Sequence, residues 1–254
     1  MHLFTGFLIF VIGICTGSFL SATIYRMKSG DSLVKGRSKC PKCETQLKAK
    51  NLIPLLSYTF QKGKCSACKE RISVHYPLLE LLTGLTFAAI FFKFGPTTLT
   101  VFYIIISAFL IAIFFEDALH REISNEFVVP ATTFAMISIF MIQNISLVNA
   151  AIALTIPTIF FGLQILISKG KWIGGGDLKL GVLMGIFLGW ELLLVALIAS
   201  YFIGAILGVS LLATKKAKRN TQIAFGPILV AGTFIALFYG NVIINWYLEL
   251  ILFA

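Results

Sequence analysis

Charge is scarce in this chain. Of its 254 residues only 13% are Asp, Glu, Lys or Arg, while 58% are hydrophobic, and the mean hydropathy is +0.92. Soluble domains carry about 25% charge and roughly 45–50% apolar residues, so a soluble globular protein is excluded. Aspartate is rarer still: Asp31, Asp117 and Asp177 are the only three. The first apolar run has no basic segment ahead of it and no obvious small-residue cleavage site, which argues against a removable signal. No internal repeat is visible, so the paired halves typical of many transporters are not expected.

What is present is long apolar sequence. Runs over 3–24, 98–115, 147–167 and 178–213 are long enough to cross a hydrocarbon core of roughly 30 Å. The expected fold is an all-α polytopic membrane protein of about eight transmembrane helices with a small cytosolic zinc-binding loop. The spans fall near 4–24, 77–94, 98–116, 127–143, 147–167, 178–191, 193–213 and 224–240, and 241–254 reads as a short interfacial helix. The net charge of +10 does not point to nucleic acid, because twelve of the 21 Lys and Arg lie between Arg26 and Arg71. Lys215, Lys216, Lys218 and Arg219 form a second cluster. Basic loops stay cytoplasmic, and threading the spans with the first loop inside leaves only Lys93 on the outer face. The partners implied are membrane lipids.

The segment between the first two spans holds two C-x-x-C pairs, Cys40 with Cys43 and Cys65 with Cys68, separated by 21 residues. Two such knuckles can present four thiolates to one tetrahedral Zn²⁺, and neighbouring Lys and Arg help hold the thiols deprotonated. Disulfides are the alternative, disfavoured because the topology puts the loop in the reducing cytosol. The loop is too small to build much of a core, so metal would supply most of its folding energy. Cys15, beside Gly13 and Gly17, reads as a small packing residue.

Carboxylates at a membrane edge are costly and usually functional. Asp117 ends the third span, next to Glu116, whereas Asp177 opens the sixth. Asp177 meets the positive end of a helix dipole and Asp117 the negative end, so a juxtaposed pair would share one proton, one acting as base and the other as acid. The simpler reading of Asp177 is a helix cap. Gly174, Gly175 and Gly176 before it permit left-handed or extended backbone and close approach of a substrate strand. Gly181, Gly185 and Gly189 recur every fourth residue, a smooth face suited to setting the sixth span against the third. Lys179 reads either as a steering charge or as a side chain snorkelling to the surface. Glu80, inside the second span, reads as a group for a cationic leader or an amine, or as a carboxylate reaching the interface.

At this point the chain resembles the type IV prepilin leader peptidases, membrane aspartic proteases of the G-x-G-D kind. The resemblance runs through "GSFLSATIYR" (17–26), the two C-x-x-C pairs with "NLIPLLSY" between them, "HYPLLELLTG" (75–84), "GGGDLK" (174–179) and "AFGPILVAG" (224–232). The family's other motif is Asp, five residues, Ile or Val, Pro, then Asp or Asn. Asp117, Ile123 and Asn125 match it, Ser124 stands where proline is usual, and Leu119 stands where many members have a second aspartate. The resemblance implies that Asp117 and Asp177 are catalytic, that Gly174, Gly176, Lys179 and Glu80 support them, and that Cys40, Cys43, Cys65 and Cys68 hold zinc. It implies a domain order of a first span (1–25), a cytosolic zinc loop (26–76) in which N-methyltransferase function would sit, and a peptidase part (77–254).

Substrates would be prepilins or pilin-like proteins, cut between a short basic leader and a hydrophobic helix at the cytoplasmic face of the inner membrane. Many members with the cysteine loop also methylate the new N-terminus with S-adenosylmethionine. No glycine-rich methyltransferase fingerprint occurs in 26–75, so that activity rests on the resemblance alone. Two other readings stand beside this one: a cation- or proton-coupled transporter using the same aspartates, and a zinc-loop membrane scaffold without catalysis. Nothing in the sequence bears on oligomeric state or on which pilin system is served.

Overall fold

A computed structural model of the chain describes residues 2–32, 36–142, 146–215 and 223–252. Lys35 of the first basic segment and Lys216, Lys218 and Arg219 of the second cluster lie outside the described residues. Nine α-helices follow one another among those residues: α1 His2–Ser29, α2 Leu56–Phe60, α3 His75–Phe94, α4 Thr98–His120, α5 Asn125–Ile142, α6 Leu147–Ser168, α7 Gly175–Leu188, α8 Trp190–Ala213 and α9 Gly226–Leu252. Strand pairing among the described residues is limited to two isolated bridges, Lys39 with Gln46 and Lys64 with Arg71. All of α1, α3, α4, α5, α6, α8 and α9 are long and apolar enough to cross a membrane. The chain is therefore an all-α, multi-pass membrane protein.

Two helix assignments differ from the sequence expectation. The sixth span, 178–191, is the 14-residue α7, about 21 Å long at 1.5 Å per residue and thus short of the hydrocarbon thickness. It turns back into α8 at Gly189, whose φ of +79° suits a residue without Cβ. The closing stretch 241–254 is not a separate interfacial helix through residue 252, because α9 runs unbroken from Gly226 to Leu252. Gly240 keeps helical geometry there and packs on Leu192 of α8.

The chain divides into two compact units, residues 1–112 and 113–254, with α4 contributing to both. In the first unit α1 packs on α3. The contact is made by missing side chains: a Cβ on Gly13 would lie 2.7 Å from the Gly84 Cα, and one on Gly17 would lie 2.7 Å from the Glu80 Cα. Small residues at such seams let helix backbones approach in lipid, where apolar burial gives no driving force. Cys15 does not join this seam; it faces outward, because the α1 positions that meet α3 are those of Gly13 and Gly17.

The second unit is arranged around α7, which contacts α5, α6, α8 and α9 and buries Leu180, Leu183, Met184 and Phe187. Its glycine face does not meet the third span. Gly181 fits against Phe161 and Pro157 of α6, and Gly185 against the Ala153 carbonyl of the same helix. The α8–α9 seam is equally tight, with Gly232 against Ser200 and the Ala196 carbonyl. Large apolar side chains such as Phe140, Leu166, Ile198 and Phe202 point outward, as lipid-facing positions require.

Candidate active site and metal centre

Asp117 lies in the last turn of α4 and is 5% exposed. Beyond it Arg121 takes a left-handed φ of 56°, and its N–H closes on the Asp117 carbonyl at 2.8 Å. The fully buried Glu116 carboxylate fixes the turn that follows. Its Oε2 accepts from the Ser124 N–H at 3.1 Å and from the Ser124 hydroxyl at 2.8 Å. A proline at 124 could offer neither donor, so the departure at this position allows a different anchor for the turn. The Asp117 Oδ2 itself accepts from the Gly226 N–H at 2.9 Å, at the start of α9.

Asp177 stands in the first turn of α7. Gly174, the residue before the helix, has φ −86° and ψ 162°, and its N–H donates to Asp177 Oδ2 at 3.1 Å. Asp177 therefore does cap its helix, as the simpler sequence reading held. None of the three glycines is left-handed. Gly176 is required by proximity: a Cβ there would lie 3.0 Å from the Ile123 Cβ. Gly175 has open space about it, and both Gly174 and Gly175 are exposed.

Ile123 links the two halves of the site. It touches Gly176 beside Asp177, and its Cδ1 would lie 3.1 Å from a Cβ on Gly226, the residue bonded to Asp117. Lys179 adds a second tie, its Nζ donating to Asn125 Oδ1 at 2.8 Å, so the lysine of one aspartate motif holds the asparagine of the other. The Tyr201 ring packs edge-on to Phe160 and Phe225, with centroids 5.5 and 5.2 Å away, and its hydroxyl donates to Gln164 Oε1 at 3.0 Å.

The fold thus brings together Asp117, Asp177, Gly174, Gly176 and Lys179. Glu80 belongs to α3 of the first unit. Sequence reasoning missed Gly226 as a partner of Asp117, Ile123 as the spacer and Tyr201 as the flanking ring. It also left Asp117 at a helix carboxyl end alone, whereas the fold adds the amino end of α9. Both carboxylates thus adjoin a helix amino terminus, where backbone N–H groups favour negative charge.

In the first unit the four sulfurs of Cys40, Cys43, Cys65 and Cys68 all lie within 4.8 Å of one another. None of the chain's cysteines is in a disulfide. The two knuckles are built alike. Cys40 N–H bonds the Thr45 carbonyl and Glu44 N–H returns to the Cys40 carbonyl; Cys65 and Lys69 repeat the pattern with Glu70. Glu44 and Lys69 take the same left-handed turn, with φ of 54° and 61°. A tetrahedral thiolate site with metal–sulfur bonds of about 2.3 Å needs sulfurs roughly 3.8 Å apart, and Cys40 and Cys68 are 4.0 Å apart. The cluster can hold a metal ion.

The electrostatics of the thiols agree. Hydrogen bonding to the Thr45 hydroxyl and backbone holds Cys43 down to about 6, and the backbone N–H groups of Cys68 and Ala67 lower Cys65. The Glu70 backbone lowers Cys68, but burial and the neighbouring sulfurs outweigh it and push that thiol up to about 11. The crowded Cys68 thus keeps its proton while Cys43 gives its own up, a conflict that a central dication removes.

Two family models match the chain: the bacterial peptidase A24 N-terminal domain over residues 11–94 and the type IV leader peptidase family over residues 104–209. The first contains all four cysteines and Glu80, the second both aspartates. A prepilin leader peptidase/N-methyltransferase of Bacillus subtilis is 31% identical over 245 residues, covering 96% of this chain and 98% of that protein. The chain belongs to the type IV leader peptidase family. Proteins of the same description from Aeromonas salmonicida and Pseudomonas aeruginosa are each 30% identical, over 275 and 267 residues, covering 96% and 94% of this chain and 94% and 92% of theirs. No solved structure matches the chain. Gly226 lies beyond the stretch that the second family model matches.

Proposed function

We propose that this leader peptidase cleaves prepilins or pilin-like proteins with Asp117 and Asp177 as its catalytic pair. The observation that carries the reading is the bridge through Ile123, which packs both on Gly176, next to Asp177, and on Gly226, whose N–H is bonded to Asp117. In such a pair one carboxylate takes a proton from water as the oxygen attacks the scissile carbonyl carbon. The other gives its proton to the carbonyl oxygen. On collapse the amine leaves with a proton returned by the first. The exposed backbone at Gly174 and Gly175 leaves room for an extended substrate strand, and Lys179 keeps α7 in register with α5. The transporter reading lacks support, since such proteins bind ions near mid-membrane at broken, repeated helices, whereas these carboxylates occupy helix ends.

Sidedness follows from span counting. With the basic first loop inside, the α4–α5 and α6–α7 turns fall on the same cytoplasmic side, in the inner membrane. The four cysteines would hold structural zinc within the 26–76 loop, and 77–254 would form the peptidase part. The relatives named as N-methyltransferases align with the first unit as well as the second, which supports a second activity, methylation of the new N-terminus by S-adenosylmethionine.

The test replaces each aspartate by asparagine, which keeps shape and hydrogen bonding while removing the charge. Purified Asp117→Asn and Asp177→Asn proteins should cut a pilin-like substrate at least about 10²-fold more slowly than wild type, with metal content unchanged. Cleavage by either at the wild-type rate, read by mass spectrometry of the product N-terminus, rules out the assignment.

A further inference from the structure

The first unit contains a cavity of about 440 Å³ that the peptidase chemistry does not use. It is lined from α1 by Ala22 and Tyr25, from α2 by Tyr58, and from α3 by Tyr76 and Glu80. The volume falls within the usual range for small-molecule sites, about 300–1,000 Å³. Glu80 is 8% exposed, a carboxylate held inside an apolar helix. Its Oε2 accepts from the Leu55 N–H at 2.8 Å, yet among the described residues no Lys, Arg or His forms an ion pair with it. A buried carboxylate without a counter-charge is costly. Leu55, which Glu80 holds, has φ 61° and ψ −49°, a conformation disfavoured for leucine that the surroundings must enforce. Three tyrosine rings on one cavity add faces that attract cations. Arg26, Arg37 and Lys39 also line the cavity, but Lys39 is paired with Asp31 at 3.3 Å and Arg26 donates to the Gly36 carbonyl at 3.1 Å. Glu80 and the three tyrosines are the part of the lining that suits a ligand carrying positive charge.

We propose that this cavity is the N-methyl-transfer site, with Glu80 receiving the α-ammonium of the trimmed chain and the tyrosine-lined space receiving the sulfonium methyl donor. The inference rests on the methyltransferase reading above and adds the location and the residues. A bound α-ammonium passes one proton to the Glu80 carboxylate. The freed nitrogen lone pair then forms the N–C bond to the methyl group as the C–S bond breaks, its electron pair leaving on sulfur, so that a sulfonium becomes a neutral thioether. The product is a methylammonium beside a protonated Glu80, which becomes a carboxylate again when it releases that proton to water. Seated on an α3 side chain, Glu80 would accept a terminus presented from the membrane, whereas the donor enters beside the cysteine segment.

The experiment uses the whole chain in bicelles and three variants. Ala22→Phe narrows the cavity while leaving every cysteine and aspartate unreplaced, and Glu80→Gln removes the charge. Labelled S-adenosylmethionine is the first probe; a synthetic pilin N-terminal peptide, already trimmed and with a free amine, is the second, and its N-acetylated form the third. Donor binding should weaken about tenfold or more in Ala22→Phe. In Glu80→Gln donor binding should persist while the preference for the free-amine over the acetylated peptide disappears, and Glu80→Asp should restore part of it. Wild-type binding of both probes by both variants overturns the location while leaving methyl transfer intact. Absence of donor binding by the wild type, in a preparation that still cleaves prepilin, removes the methyltransferase reading and this site with it. Should Glu80→Gln lose its metal or its melting transition, Ala22→Phe alone decides.

Discussion

Gly226 shows how much a single residue can carry. Its N–H reaches Asp117 Oδ2 at 2.9 Å, and a Cβ on it would stand 2.7 Å from that oxygen and 3.1 Å from Ile123 Cδ1. The carboxylate is held by a backbone donor that only glycine lets come so near. Replacing it by alanine must shift Asp117, Ile123 or the start of α9, and shifts of this kind cost roughly 1–3 kcal/mol. Gly226→Ala should therefore slow prepilin cleavage about tenfold or more, and cleavage at the wild-type rate by purified protein would show that Asp117 does not depend on this contact. The aspartates themselves were legible in the sequence, because so few carboxylates occur and each sits at the edge of an apolar run. Gly226 was not. It lies 109 positions from Asp117, and a backbone donor leaves no trace in side-chain chemistry.

At the scale of elements, helix existence was legible wherever an apolar run had spanning length, and boundaries followed wherever a turn residue stopped it. The sequence could not tell α7 from a span. A helix enclosed by other helices and a helix enclosed by lipid are both apolar all round, so composition alone cannot separate 14 residues of core from a short membrane crossing. Nor could it name the partner of the glycine face. Gly181, Gly185 and Gly189 announce a close neighbour, yet which helix fills the gap depends on three-dimensional arrangement, and α6 does so with Ala153, Pro157 and Phe161. Gly185 is the tightest point, against the Ala153 carbonyl, and backbone cannot yield as a side-chain tip can. Gly185→Val should lower stability by about 1–3 kcal/mol, whereas Gly162→Ala, where nothing lies within 4 Å, should leave it unchanged. Thermal unfolding in one detergent would compare them; equal midpoints for Gly185→Val and wild type would remove α6–α7 packing as the support of the Asp177 turn.

For the molecule as a whole, the two units have different sources of stability. The second buries large apolar side chains, Phe115, Phe161, Leu180, Met184 and Leu229 among them. The soluble segment of the first has almost nothing comparable: between residues 36 and 74 the only buried residues are Cys40 and Cys65. Those two are also half of the cluster that can hold a metal ion. Backbone ordering costs roughly 1–2 kcal/mol per residue, and without an apolar core a structural metal is the one strong source of compensation, as in other small metal-held domains. Removing the metal with a chelator should therefore melt this segment while the membrane helices persist. Limited proteolysis should then cut within 36–74, with helical circular dichroism changed only slightly. The Cys40→Ser/Cys65→Ser protein should behave like the chelated wild type, and donor binding should fall with it, because Tyr58 and Cys40 line the same cavity. A segment that resists protease equally with and without metal would mean that its two knuckles stand on their own hydrogen bonds, and the cluster would lose its structural role.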